Sequence, residues 1–222
     1  MTITHHADDA TLMSYSAGTL GEALSAVVAS HLAMCHGCRT QLAQMDQIGG
    51  LLLSALPSAA MTTLPPRPAP LGKASREEKE TSACRTHAKP DAQTAALPRP
   101  LSRLVGNDLN AIAWKRLSFG VWHHRLPLSV GAKGDLRLIK IAPGQMMPEH
   151  GHGSTELTLV LDGSYTDEVG RFGPGDLADL DEETEHQPIA DHKMGCICLI
   201  ASEEKARFKS ILARIVQPFT GL

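Results

Sequence analysis

Aromatic side chains make up only 4% of this 222-residue chain, which leaves no stacking platform for single-stranded nucleic acid. Positive charge is not in excess either. Lys and Arg number 21 against 24 Asp and Glu, for a net charge of −3, so direct nucleic-acid binding has no basic footprint. No apolar run approaches the roughly 20 residues that cross a bilayer. The longest, Ile48 to Met61, is interrupted by Gly49, Gly50 and Pro57. A basic head and apolar core are missing near the start, where His5, His6, Asp8 and Asp9 stand instead, so no signal peptide is expected. Cysteines number five, two of them in Cys35-x-x-Cys38. That usage fits a reducing compartment with thiolates available to metal, not a secreted disulfide scaffold. The expectation is a cytoplasmic protein without a membrane partner. Hydrophobic residues at 42% suffice for packed cores in one large or two small domains.

Three zones differ in composition. From about Asp8 to Leu56 the chain is rich in Ala, Leu and Met and has no proline. Leu12, Tyr15 and Leu20 suggest a first helix that Asp8 or Asp9 caps. After a break at Gly18 to Gly21, Leu24, Val27, Val28, His31, Leu32 and Cys35 follow at helical spacing, and Leu42, Met45, Ile48 and Leu52 begin a third helix. Between Pro57 and Pro100 prolines and the charged run Arg76 to Glu80 read as a linker, with a short helix capped by Ser75 as an option. Strand signals then cover Ala113 to Leu117, Val121 to Leu126, Leu136 to Ile141, Leu157 to Leu161 and Gly195 to Ile200. Phe208, Ile211, Leu212 and Ile215 suggest a final helix. The expected fold is two-domain α + β. Residues 1–90 form a small helical bundle with its proline-rich segment, 91–105 link, 106–201 form an antiparallel β-barrel, and 202–222 pack on it as a helix.

Two constellations carry metal chemistry. His150, His152 and Glu156 lie at even offsets between Gly144 and Gly163, so a strand presents them on one face. Pro174-Gly175-Asp176 signals the turn before the strand that delivers His186. These nitrogen and oxygen donors suit a divalent cation inside a barrel. In the second constellation, His31 and Cys35 are one helical turn apart and Cys38 follows across Gly37. Two thiolates and an imidazole select Zn²⁺, and a structural site wants a fourth donor. His5, His6 and His36 are nearby; His36 points off the ligand face, and spacing does not decide between His5 and His6.

The pattern Gly144-x5-His150-x-His152-x3-Glu156-x6-Gly163 resembles the first motif of the cupin superfamily, and Gly173-Pro174-Gly175-Asp176 followed by His186 looks like a shortened second motif without its terminal Asn. His31-x3-Cys35-x2-Cys38 resembles the zinc-binding anti-sigma domain. The order of helical zinc module, proline-rich linker and cupin is similar to ChrR-type anti-sigma factors over nearly the whole chain. That resemblance implies one zinc on His6, His31, Cys35 and Cys38, and it is what favours His6 over His5. It also implies a second zinc, or another divalent metal, on His150, His152, Glu156 and His186. The implied activity is sequestration of an extracytoplasmic-function (group IV, sigma-E-like) sigma factor in a 1:1 heterodimer, with release on singlet oxygen or related oxidants sensed by the cupin. No enzymatic activity is implied.

Other oxidisable or donor groups have plainer readings. Met146 and Met147 beside His150 fill a barrel wall. Cys196 and Cys198 share a strand face as small buried hydrophobes, Cys84 and His87 are incidental to the linker, and His123 and His124 alternate across a strand edge. The competing function is a cupin dioxygenase, with three histidines and a glutamate holding Fe²⁺. No separate acid, base or nucleophile can be named for it, and the thiolate module would have no role.

Overall fold

The computed structural model describes residues 2–57, 97–148, 150–151, 154–180, 185–203 and 207–208. Helix α1 (Asp9–Ser16) starts where the Asp8 carboxylate accepts from the Thr11 N–H, the cap its sequence calls for. Gly18 then takes a φ of 69° and turns the chain. Helix α2 (Glu22–Met34) is buried over Ala23, Leu24, Val27, Val28, Ser30, His31 and Leu32, a wider face than an amphipathic surface helix needs. Its surroundings explain this: α2 lies between the other helices and a β-sheet. Helix α3 (His36–Ala55) is its opposite, with Cys38 as its one buried residue. Helix α4 (Arg99–Val105) has Pro100 in its first turn, where a missing N–H leaves no bond unmade.

After one 3-10 turn (Leu109–Ala111) come the strands: β1 (Lys115–Ser118), β2 (Val121–Arg125), β3 (Asp135–Ile141), β4 (His150–Gly151), β5 (Glu156–Gly163), β6 (Tyr165–Thr166), β7 (Arg171–Phe172), β8 (Leu177–Leu180), β9 (Glu185–His186), β10 (Ile189–Ala190), β11 (Cys196–Ser202) and β12 (Arg207–Phe208). All their pairings are antiparallel. They form a six-stranded sheet in the order β1-β2-β3-β11-β5-β8 and two three-stranded sheets, β10-β6-β7 and β12-β4-β9.

The two-residue period of the central strands sorts their side chains into two cores. Leu136, Leu138, Leu157, Leu159, Leu161, Leu199 and Ala201 face the helices and pack with Leu24, Val27, Val28, Leu32 and Leu101. Ile139, Ile141, Val160, Cys196 and Cys198 face the other way, onto Tyr165, Phe172 and Ala190. The continuous burial of Leu157-Thr158-Leu159-Val160-Leu161 follows from this, since a strand covered on both faces has no solvent side. The helical zone and the sheet therefore share one core.

Three expectations change. Arg99–Val105, read as linker, is helical, and Leu101 docks it on α2 with 1% exposure; seven residues are too few for a legible periodicity. Phe208, read as helical, belongs to β12, whose residues pair with His150 and Gly151. The rest of that expected helix, the Ser75 option, Cys84 and His87 lie outside the described residues. Finally, the strands form three ladders and not a single closed one among the described residues.

Candidate metal centre

Cys35 ends one helix and begins the next. Its backbone, at φ −100° and ψ 112°, leaves the helical region between α2 and α3. Its N–H still donates to the His31 carbonyl at 2.7 Å, and its Sγ accepts from the Cys38 N–H at 3.4 Å. The kink turns the last turn of α2 and the first turn of α3 toward a common point. His31 and Cys38 reach it from those turns, Cys35 from the kink and His6 from the extended residues before α1.

The donor atoms of His6, His31, Cys35 and Cys38 all lie within 4.8 Å of one another. His31 Nε2 is 3.2 Å from Cys38 Sγ, and His6 Nδ1 is 3.3 Å from Cys35 Sγ and 3.5 Å from Cys38 Sγ. Metal bonds of about 2.3 Å to sulfur and about 2.0 Å to nitrogen at tetrahedral angles separate such atoms by about 3.5 Å. The set thus has the size of a tetrahedral zinc site.

Its electrostatics ask for a cation. Burial, followed by the neighbouring Cys35, pushes the Cys38 thiol up to about 11. Burial also holds His31 below the ordinary histidine value, against the raising effect of its hydrogen bond to Gly175. His31 is fully buried, and its Nδ1 donates to the Gly175 carbonyl at 2.9 Å. That bond selects the tautomer whose Nε2 lone pair faces the cluster. A divalent cation at the centre fits the His31 imidazole and would supply the charge the Cys38 sulfur needs to ionise.

His5 sits elsewhere. Its ring packs tilted against Phe172 at 4.1 Å between centroids, with Nδ1 3.7 Å from Asp176 Oδ2. His36 is exposed and outside the cluster.

The second expected set is described in part. Glu156 opens β5 and is buried, with Oε1 3.4 Å from the Thr158 hydroxyl. His186 is buried on β9 and lies directly opposite His150 in the β4–β9 pairing. His152 lies outside the described residues. Sequence reasoning missed Asp167, whose Oδ2 is 2.9 Å from His186 Nδ1. Burial would raise the Asp167 carboxyl, but His186 and the N–H groups of Gly170 and Val169 outweigh it and hold the group below the usual range. Nothing in the spacing of Asp167 marks it, because its place in a surface-like Asp-Glu-Val-Gly turn gives no sign that it points inward.

Cys196 and Cys198 are buried on one face with their sulfurs 3.2 Å apart. The bond to Cys196, then burial, pushes the Cys198 thiol well up. Met147 packs against the inner core while Met146 is half exposed. His124 contacts the Ala113 carbonyl, and the buried Nδ1 of His123 has no hydrogen-bond partner among the described residues.

Residues 103–206 match the model of the ChrR cupin-like domain. The anti-sigma-E factor ChrR of Cereibacter sphaeroides is 41% identical over 224 residues, covering 99% of this chain and 99% of that one. The crystal structure of Rhodobacter sphaeroides SigE in complex with the anti-sigma ChrR contains a similar chain, at a TM-score of 0.70 and 39% identity over 90% of this chain and 99% of that one. With near-complete coverage in both directions, this chain belongs to the family of ChrR anti-sigma factors.

Proposed function

We propose that this protein is a cytoplasmic anti-sigma factor that captures an extracytoplasmic-function sigma factor, sigma-E-like, in a 1:1 complex and withholds it from RNA polymerase. The observation that carries this is the far half of α3. Ile48, Leu51, Leu52 and Leu53 near the end of the helix and Leu56 at its C-cap are each 59–72% exposed. Such a concentration of exposed apolar side chains is costly to leave in water and marks a surface for docking. Each of those side chains contributes about 1.5–3 kcal/mol when fully covered. A partner of this class is supported by the relative crystallised with SigE.

Zinc held by His6, His31, Cys35 and Cys38 would supply a redox-inert tetrahedral centre that fixes the angle between α2 and α3. The protein residues set the presenting geometry: Cys35 kinks the chain, and His31 is oriented by the Gly175 carbonyl. In the sheet unit, His150, His152, Glu156 and His186 would hold a second zinc or another divalent metal, inside sheets that wrap as a cupin barrel. Singlet oxygen or a related oxidant acting there would free the sigma factor. Membership of an anti-sigma family sets aside the dioxygenase reading.

Co-expression of the full chain with a sigma factor of this class tests the proposal. The parent retains a stoichiometric sigma factor through purification, and a Leu52→Asp, Leu56→Asp double variant loses it. Equal retention by both would reject the docking face.

A further inference from the structure

Residues Ile3 to Asp8 run along β8, the outermost strand of the six-stranded sheet. Asp176 Oδ1 accepts from the N–H groups of Thr4 at 2.6 Å and His5 at 3.0 Å, while Oδ2 accepts from the Gly173 N–H at 2.8 Å. The Leu177 N–H donates to the His5 carbonyl at 3.2 Å. Asp179 Oδ2 accepts from the Asp8 N–H at 3.1 Å. The chain is therefore tied to the sheet on both sides of His6. The same turn reaches the second imidazole, because the Gly175 carbonyl holds His31 Nδ1.

Packing seals this junction. Gly175 has a φ of +90°, and a Cβ there would lie 2.7 Å from Ile3 Cδ1 and 3.4 Å from Met34 Cε. Only glycine fits between the extended N-terminal segment and α2 in this backbone conformation. His5, tilted against Phe172, anchors the residue just before His6 to the sheet.

We infer that the β7–β8 turn of the sheet unit is part of the metal centre of the helical unit. Asp176 is a positioning residue for His6, and the Gly175 carbonyl is the orienting partner of His31. This rests on the proposed metal role of His6, His31, Cys35 and Cys38. Its consequence is that the rate of metal loss from the helices is set by the sheet. The turn is itself bonded to β5, since Val160 exchanges backbone hydrogen bonds with Gly175 and Asp176 at 2.8 and 3.1 Å. Glu156 opens that same strand and pairs with Leu180 of β8, so a shift at Glu156 has a hydrogen-bonded route to both imidazoles.

The test uses the full zinc-loaded chain. Metal transfer to an excess of a colorimetric chelator is timed, and the cobalt-substituted protein is recorded for its ligand-field bands. Asp176→Ala should release zinc about 10–100-fold faster, the range for losing an outer partner of a metal ligand, with shifted cobalt bands. Asp176→Asn, which keeps one acceptor, should fall between. Thr4→Pro removes an N–H without touching the sheet and should also speed release; it decides the matter if the Asp176 variants fail to fold. Asp108→Asn, which disturbs the exposed turn at Asn110 on another part of the chain, should release at the parent rate. Parent-like release and spectra in both Asp176→Ala and Thr4→Pro overturn the inference while leaving the metal site standing. Zinc content unchanged in a Cys35→Ser, Cys38→Ser variant overturns the metal reading and this one with it.

Discussion

Nδ1 of His31 lies 2.9 Å from the carbonyl oxygen of Gly175, although the two residues are 144 positions apart. One belongs to the last turn of α2 and the other to a glycine turn of the sheet. Their contact places a candidate metal donor at the seam between two zones that composition separates cleanly.

Removing the thiols should be the most damaging change at this seam. Cys35→Ser with Cys38→Ser is expected to lower zinc content by one per chain and abolish sigma capture. Chelation of the parent should reproduce the effect, because binding energy of a structural metal is folding energy. Metal analysis by mass spectrometry alongside sigma co-elution checks both halves.

Gly175→Ala should destabilise the protein by roughly 1–3 kcal/mol, the range for forcing a non-glycine residue into a sparsely populated conformation. The overlap with Ile3 should add to that strain. Urea denaturation of variant and parent reads the difference.

Acid should loosen the N-terminal segment. Burial would raise the Asp176 carboxyl, but the N–H groups of Gly173, His5 and Thr4 together outweigh it and hold the group below the ordinary range, with the His5 ring facing it as well. A depressed folded value means that its contribution is complete above the unfolded value of about 3.9. It is lost as pH falls from there through the depressed value. The stability gap between parent and Asp176→Ala should therefore be constant near neutrality and shrink below about pH 4. Urea midpoints across that window measure it.

The shared core predicts one unfolding event. Leu157→Ala, which opens space between α2 and the sheet, is expected to cost about 2–5 kcal/mol. Helical circular dichroism and the fluorescence of Trp114, which packs against the same core, should fall together. Separate transitions would show that the two zones fold independently.

Leu52→Asp should lose sigma capture with little change in stability. Leu52 is 66% exposed, and substitutions at such positions usually stay within about 0.5 kcal/mol. Calorimetry of the free protein beside a binding titration separates the two effects.

Much of this was legible in local patterns. The Asp8 cap, the breaks around Gly18 and strands β1, β2, β3, β5 and β11 follow from short-range rules that the fold leaves intact. So does the meeting of His31, Cys35 and Cys38, although the kink at Cys35 was not foreseen as a boundary between helices. Choosing His6 over His5 needed the resemblance, because the answer depends on Asp176 and Phe172, more than 160 positions away. Asp167 was invisible for the same reason. Helix α4 and strand β12 are too short to show a period, and their neighbours in space define them.

Cys35 works as the knuckle of the helical arm. Its backbone breaks the rod, and its sulfur both caps the outgoing segment and belongs to the donor group. Any reagent that takes that sulfur withdraws a cap and a candidate ligand in a single event, at the point from which α3 projects its leucines.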